Sequence, residues 1–175
     1  MSINVIQIEA IDEHARAIGY VCIYWAALEH GIDSLLQTIT PLEPGRISDC
    51  ITANADIRAK MQMVKALSFA RKPTDGWFEH VEEVINRIDN NLRLQRNRFI
   101  HDAWVGLEPI KRRTRRTSIK RSQARADPEL TTYEDVPVTA SEIWQFVQQI
   151  SEAQVMLSLY QSHYRELTAS PPKPA

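Results

Sequence analysis

Glycine is scarce in this chain. The 175 residues hold five, Gly19, Gly31, Gly45, Gly76 and Gly106, each far from the next. A Gly-x-Gly-x-x-Gly turn, a Walker A loop and a Gly-x-Ser-x-Gly elbow all need glycines in close series, so none can be built. That argues against nucleotide-fuelled and α/β-hydrolase chemistry. Cysteine is scarcer still: Cys22 and Cys50, with no Cys-x-x-Cys and no clustered histidine, suit neither a disulfide framework nor a zinc site. Both are expected to be reduced, buried thiols in a cytoplasmic protein, and no metal or cofactor is expected. Long apolar runs are also missing. The longest uncharged stretch, 17–28, has twelve residues, against roughly 20 needed to span a bilayer. It is expected to be a core helix segment rather than a membrane one. Residues 1–9 contain no Lys or Arg, so a signal-peptide n-region is not expected there. Net charge is only -1, which gives the whole molecule no strong field towards any partner.

What is present is an ordinary globular balance, 43% hydrophobic and 25% charged, long enough for one domain with a real core. The pattern predicts a single domain over 1–168, an insertion at 102–138, and a Pro-rich disordered tail at 169–175. A first helix is expected over about 11–40, where Ile18, Val21, Cys22, Trp25, Leu28, Ile32, Leu35, Leu36 and Ile39 recur in steps of three and four. Pro41 and Pro44-Gly45 should end it. A second helical region covers about 47–70, bent near Ala53-Asn54-Ala55. Thr74 or Asp75 then caps a third helix, whose buried face is Trp77, Phe78, Val81, Val84, Ile85, Ile88, Leu92 and Phe99. Strand candidates follow at 103–107 and 130–138. The last helix has the clearest start: Thr139-Ala140-Ser141-Glu142 is a capping box, with Val138 and Ile143 placed as its hydrophobic staple. From Ile143 its apolar face runs through Phe146, Val147, Ile150, Ala153, Leu157, Tyr160 and Tyr164. Four helical regions with one stripe each bury those stripes most simply in an all-α bundle.

Three residues do not fit that pattern. Glu29 lies inside the first apolar stripe, and a buried carboxylate needs a cationic or hydrogen-bonding partner. The plain alternative is an exposed turn or a structural ion pair. Arg96 borders the core face of the third helix, where it is placed either to meet Glu29 or to snorkel to water. His101, five residues later, would sit about 140° around an ideal helix. It joins a polar row of Glu83, Arg87, Asn90, Leu94 and Asn97. One helix face cannot bring Arg96 and His101 together unless the helix ends there or a second subunit completes the site.

Arg96-Asn97-Arg98-Phe99-Ile100-His101 resembles the R-x4-6-H motif of the HEPN superfamily, in the form with a polar residue after the Arg. Tyr24 to Glu29 resembles the aromatic-x-x-x-Glu stretch often found in the first helix of such proteins. The resemblance covers roughly 11–101 and 139–168. It implies a four-to-five-helix bundle of HEPN type; the insertion before the last helix, read from its residues as a small β-hairpin or basic loop, departs from a minimal domain of that family and is unassigned by the resemblance. It also implies a metal-independent endoribonuclease acting as a homodimer, in which two motifs converge on one cleft. The RNA 2′-OH would attack the adjacent phosphate, leaving a 2′,3′-cyclic phosphate and a 5′-OH. His101 would move the proton, Arg96 would meet the phosphate charge, Asn97 would orient His101 or bind phosphate, and Glu29 would hold Arg96.

The insertion is strongly basic. Lys111, Arg112, Arg113, Arg115, Arg116, Lys120, Arg121 and Arg125 fall in one stretch without Asp or Glu, leaving 13 basic against 22 acidic residues elsewhere. Such a loop suits backbone-driven RNA binding or an acidic partner such as an antitoxin. A solvated hairpin, or an edge strand protected by charge, is the plain alternative. The expected functions are therefore an RNase, in the role of a toxin or phage-defence effector, then a non-catalytic dimerisation or RNA-binding module, then a helical scaffold.

Overall fold

The computed structural model describes residues 5–40, 53–106, 109–115 and 133–169. The described residues are mostly helical, with a small antiparallel sheet. The elements in order are α1 (Val5–Ile39), α2 (Ile57–Arg71), α3 (Asp75–Arg87), a π turn (Ile88–Leu92), α4 (Arg93–His101), β1 (Ala103–Val105), β2 (Lys111–Arg115), β3 (Tyr133–Pro137) and α5 (Ala140–Thr168). Two compact units are built from these. One comprises Met1–Cys22 with Gln95–Val147, and the other Ile23–Leu94 with Gln148–Ala175.

The second unit is a ring of four helical segments. Between α1 and α5, Leu157 reaches 3.5 Å from the position a Cβ on Gly31 would take, and Gln161 Nε2 donates to Thr38 Oγ1 at 2.7 Å. Lys60 Nζ pairs with Asp33 at 2.8 Å to join α2 to α1. Lys65 Nζ donates to Asn86 Oδ1 at 3.0 Å to join α2 to α3. The ring closes where Trp77 of α3 donates its indole N–H to Tyr160 O of α5 at 3.0 Å. Inside lie the expected stripes: Leu28, Ile32, Leu35 and Ile39 from α1, Trp77, Val81, Ile85 and Ile88 from the third helix, and Ile150, Ala153 and Leu157 from α5. Burying such side chains is worth about 1.5–3 kcal/mol each, which is why the three-and-four spacing dictates the arrangement.

Local signals fix several boundaries. Thr74 caps α3, its hydroxyl accepting from Trp77 N–H. The region expected as one bent helix over 47–70 is interrupted at Ala55, and Asp56 caps a fresh start at Ile57. Residues 41–52, with Pro41, Pro44-Gly45 and Cys50, lie outside the described residues. Cys22 is exposed, correcting the expectation of a buried thiol: Val21 and Trp25 take the inward positions on that turn.

The first unit packs the start of α1 and the start of α5 against α4 and the sheet. His14 Nε2 donates to Val138 O at 2.8 Å, Tyr20 contacts Trp144 with ring centroids 4.9 Å apart, and Phe99 contacts Phe146 at 5.1 Å. Thr139 N–H donates to Glu142 Oε2 at 2.6 Å and Glu142 N–H to Thr139 Oγ1 at 3.2 Å, so the capping box is formed. Its staple residues Val138 and Ile143 are both buried.

The described residues of the insertion form three strands, where a hairpin or basic loop was expected. Its sheet has the order β1-β2-β3, all antiparallel. The basic stretch supplies β2, which is the central strand, not an edge. Gly106 follows β1 with φ +84°, and a Cβ there would meet Pro109 O at 3.0 Å, so this position requires glycine.

Candidate functional site

The site residues sit on the last turns of a helix that begins at Asp75. A regular α-helix does not run its whole length. At Ile88–Leu92 the backbone makes a π turn, closed by the Arg93 N–H on Ile88 O. One extra residue enters that turn, offsetting the later turns by roughly one residue's rotation, about 100°. Asp89 and Arg93 span it with a 2.7 Å ion pair. The polar row from Glu83 to His101 assumed unbroken α-helical steps, and the π turn interrupts them.

Helix α4 ends at His101, with the Asp102 N–H on Arg98 O closing its last turn. There the Arg96 guanidinium gathers the motif. Arg96 Nη1 donates to Asn97 Oδ1 at 3.1 Å and lies 3.5 Å from His101 Nε2. Arg96 and Asn97 are half-buried and His101 is exposed. The contact suits a ring whose Nε2 is an acceptor, that is, neutral imidazole protonated on Nδ1. The pair expected to need a helix end or a second subunit meets within one chain, at the helix end.

Glu29 belongs to the second unit. Its Oε1 accepts the Trp25 indole N–H at 2.7 Å, one turn earlier on α1, so this half-buried carboxylate has a hydrogen-bonding partner.

The basic residues divide sharply. Arg112 turns inward: its side chain is 11% exposed, its guanidinium lies 5.3 Å over the Phe99 ring, and its Nε is 3.6 Å from Asp102 Oδ2. Burial lowers the Arg112 pKa, and the charge of Asp102 opposes that shift. Arg113 points outward and grips Asp135 bidentately, Nε to Oδ1 at 2.8 Å and Nη2 to Oδ2 at 3.0 Å. That grip holds the Asp135 carboxyl below its ordinary range. Lys111 is half-buried. Arg115 is placed in β2, but its side chain, like Arg116, Lys120, Arg121 and Arg125, lies outside the described part of the chain.

Two residues of this neighbourhood were not singled out from sequence. Trp104 donates its indole N–H to Phe99 O at 3.1 Å and lies nearly parallel to the Phe99 ring, 6.3 Å between centroids. Asp102 faces Arg112. Nothing in the spacing marks either one, because the pairing of Trp104 with Arg112 depends on a strand that alternation does not reveal.

Among the described residues, no group of three or more His, Cys, Asp or Glu is placed to hold a metal ion, and no helix is long and apolar enough to cross a membrane. No family model matches the chain, and no curated protein or solved structure is similar to it at a significant level.

Proposed function

We propose that this chain is an endoribonuclease of HEPN type, cleaving RNA at the helix end where Arg96, Asn97 and His101 converge. The observation that carries the reading is the 3.5 Å approach of Arg96 Nη1 to His101 Nε2, with Asn97 bound to the same guanidinium nitrogen. A fixed cation and an exposed imidazole side by side are the groups that transesterification of RNA needs. The 2′-oxygen attacks phosphorus as it loses its proton, and the P–O2′ bond forms. The P–O5′ bond breaks, and the departing 5′-oxygen takes up a proton. His101 serves one of the two proton transfers, and Arg96 stabilises the charge gathering on the non-bridging oxygens. The other transfer falls to His101 of a second copy, so the reading includes a homodimer, and a monomer at micromolar concentration would count heavily against it. Lys111, with the basic residues after β2, would steer the RNA backbone. A toxin or phage-defence role, with an acidic antitoxin binding the same basic stretch, belongs to this proposal too.

The test is direct. Purified protein is incubated with RNA and the new ends are analysed for 2′,3′-cyclic phosphate and 5′-OH, beside His101→Ala and Arg96→Ala. Both substitutions should abolish cleavage, and a 2′-deoxy substrate should resist it. Cleavage that survives both substitutions would falsify the assignment. Binding without cleavage would instead identify a non-catalytic RNA-binding module.

A further inference from the structure

We propose that the three-stranded sheet sets the geometry of the Arg96–His101 pair, with Trp104 and Arg112 as its positioning residues. The inference rests on the reading of that pair as the reacting centre.

Phe99 lies between Arg96 and His101 in the sequence, and the sheet holds it three ways. Trp104 donates to its carbonyl at 3.1 Å and stacks beside its ring. Arg112 covers the ring at 5.3 Å. Trp104 and Arg112 are register partners across β1 and β2, so one rung of the ladder supplies both contacts. A fourth tie reaches the residue after His101. Asp102 Oδ2 faces Arg112 Nε at 3.6 Å, both atoms buried and neither hydrogen-bonded. A buried guanidinium and carboxylate each need the other's charge, so neither moves away cheaply. Helix ends commonly fray, and His101 is the last residue of α4. Here the last turn is pinned at residue 99 by backbone and ring, and at residue 102 by charge. His101 lies between the two pins. Arg112 is thereby committed inward, towards Phe99 and Asp102, rather than to a ligand.

The test uses the full chain with Trp104→Phe, Arg112→Met, Arg112→Lys and, as a control in the second unit's core, Val64→Ala. Two quantities are read: the ring ¹⁵N resonances of His101 at fixed pH, and kcat and KM for cleavage of a single-stranded RNA oligonucleotide. Trp104→Phe keeps an aromatic ring and removes the N–H. It and Arg112→Met should both move the His101 Nε2 resonance. They should lower kcat roughly ten- to hundredfold, as small misplacements of reacting groups do, with KM changed by less than about twofold. Arg112→Lys, which keeps the charge facing Asp102, should restore part of both. Val64→Ala should lower the melting temperature and leave the His101 resonances in place.

Unchanged His101 resonances in Trp104→Phe and Arg112→Met would overturn the proposal. So would a raised KM with intact kcat in the Arg112 variants, which would make Arg112 a substrate contact. Should Arg112→Met fail to fold, Trp104→Phe and Arg112→Lys decide the matter. If wild type cleaves no RNA, the ribonuclease reading falls, while the nitrogen resonances still decide whether the sheet positions His101.

Discussion

The two units differ in what their partly buried charges lie against. In the helical ring the Lys60–Asp33 pair, with side chains 13% and 24% exposed, ties helix to helix, and Arg87–Glu152 lies farther out at 37% and 62%. In the smaller unit the similarly buried Arg112–Asp102 pair, 11% and 22% exposed, has its guanidinium over the ring of Phe99, a residue of the motif segment. Exposed pairs can be lost with little change, whereas one member of a buried pair cannot be removed without stranding the other. Both units hold partly buried charge; in the smaller one it lies against the last turn of α4, which carries His101.

The sharpest test of that contrast is in the motif itself. On the ribonuclease proposal, His101→Ala and Arg96→Ala should lower RNA cleavage about 10²–10⁴-fold, the usual worth of a positioned acid–base group, while thermal melting stays close to wild type. Loss of activity matched by loss of folding would erase the distinction between the units. Next comes the ring. Trp77→Ala should cost about 3–5 kcal/mol in denaturant titration. Trp77→Phe keeps an aromatic ring but loses the hydrogen bond to Tyr160 O, and should cost at least about 1 kcal/mol.

A smaller effect lies at the start of α5. Thr139→Ala should cost about 1 kcal/mol at neutral pH. Glu142 accepts from the Thr139 N–H and hydroxyl, which hold its carboxyl below the ordinary range. A depressed carboxyl stabilises the fold fully above its unfolded pKa of about 4.3 and loses that stabilisation as pH falls through the lower, folded value. The gap in melting temperature between wild type and Glu142→Ala should therefore narrow as pH drops below about 4. A gap that stays constant would sink this account. The least effect is expected from Arg87→Met, under about 1 kcal/mol by chemical denaturation. A larger loss would show that the outer ion pairs of the ring do more than the contrast allows.

Much of the ring was legible in the sequence because its physics is periodic. Leu28, Ile32, Leu35 and Ile39 announce a buried stripe by spacing alone, and Thr74 announces a helix start by residue type. The smaller unit was less legible because its determinants are not local. The cluster of positive charges read as a loop or edge strand, yet β2 lies between two neighbours, and its Arg112 is neutralised by Asp102 from ten residues earlier. The π turn leaves no signal in hydrophobic spacing, since Ile88 and Leu92 stay buried across it. Arg96 and His101 were legible as a motif. Their meeting was not, because a 140° separation on an ideal helix ignores the length of an arginine side chain at a helix end.

Gly106 gives the sheet a characteristic way to fail. Its left-handed backbone and the nearby Pro109 carbonyl disfavour a side chain just after β1. A bulkier residue there would be strained, and the Pro109 carbonyl would have to give by a few tenths of an ångström. Because side chains alternate across a strand, a displacement large enough to slip β2 by one residue would send its inward set to the opposite face. Arg112 would leave Phe99, and a neighbouring residue of opposite orientation would take its rung beside Trp104. The alignment of Trp104 with Arg112, and with it the hold on Phe99, thus depends on a residue outside the ladder itself.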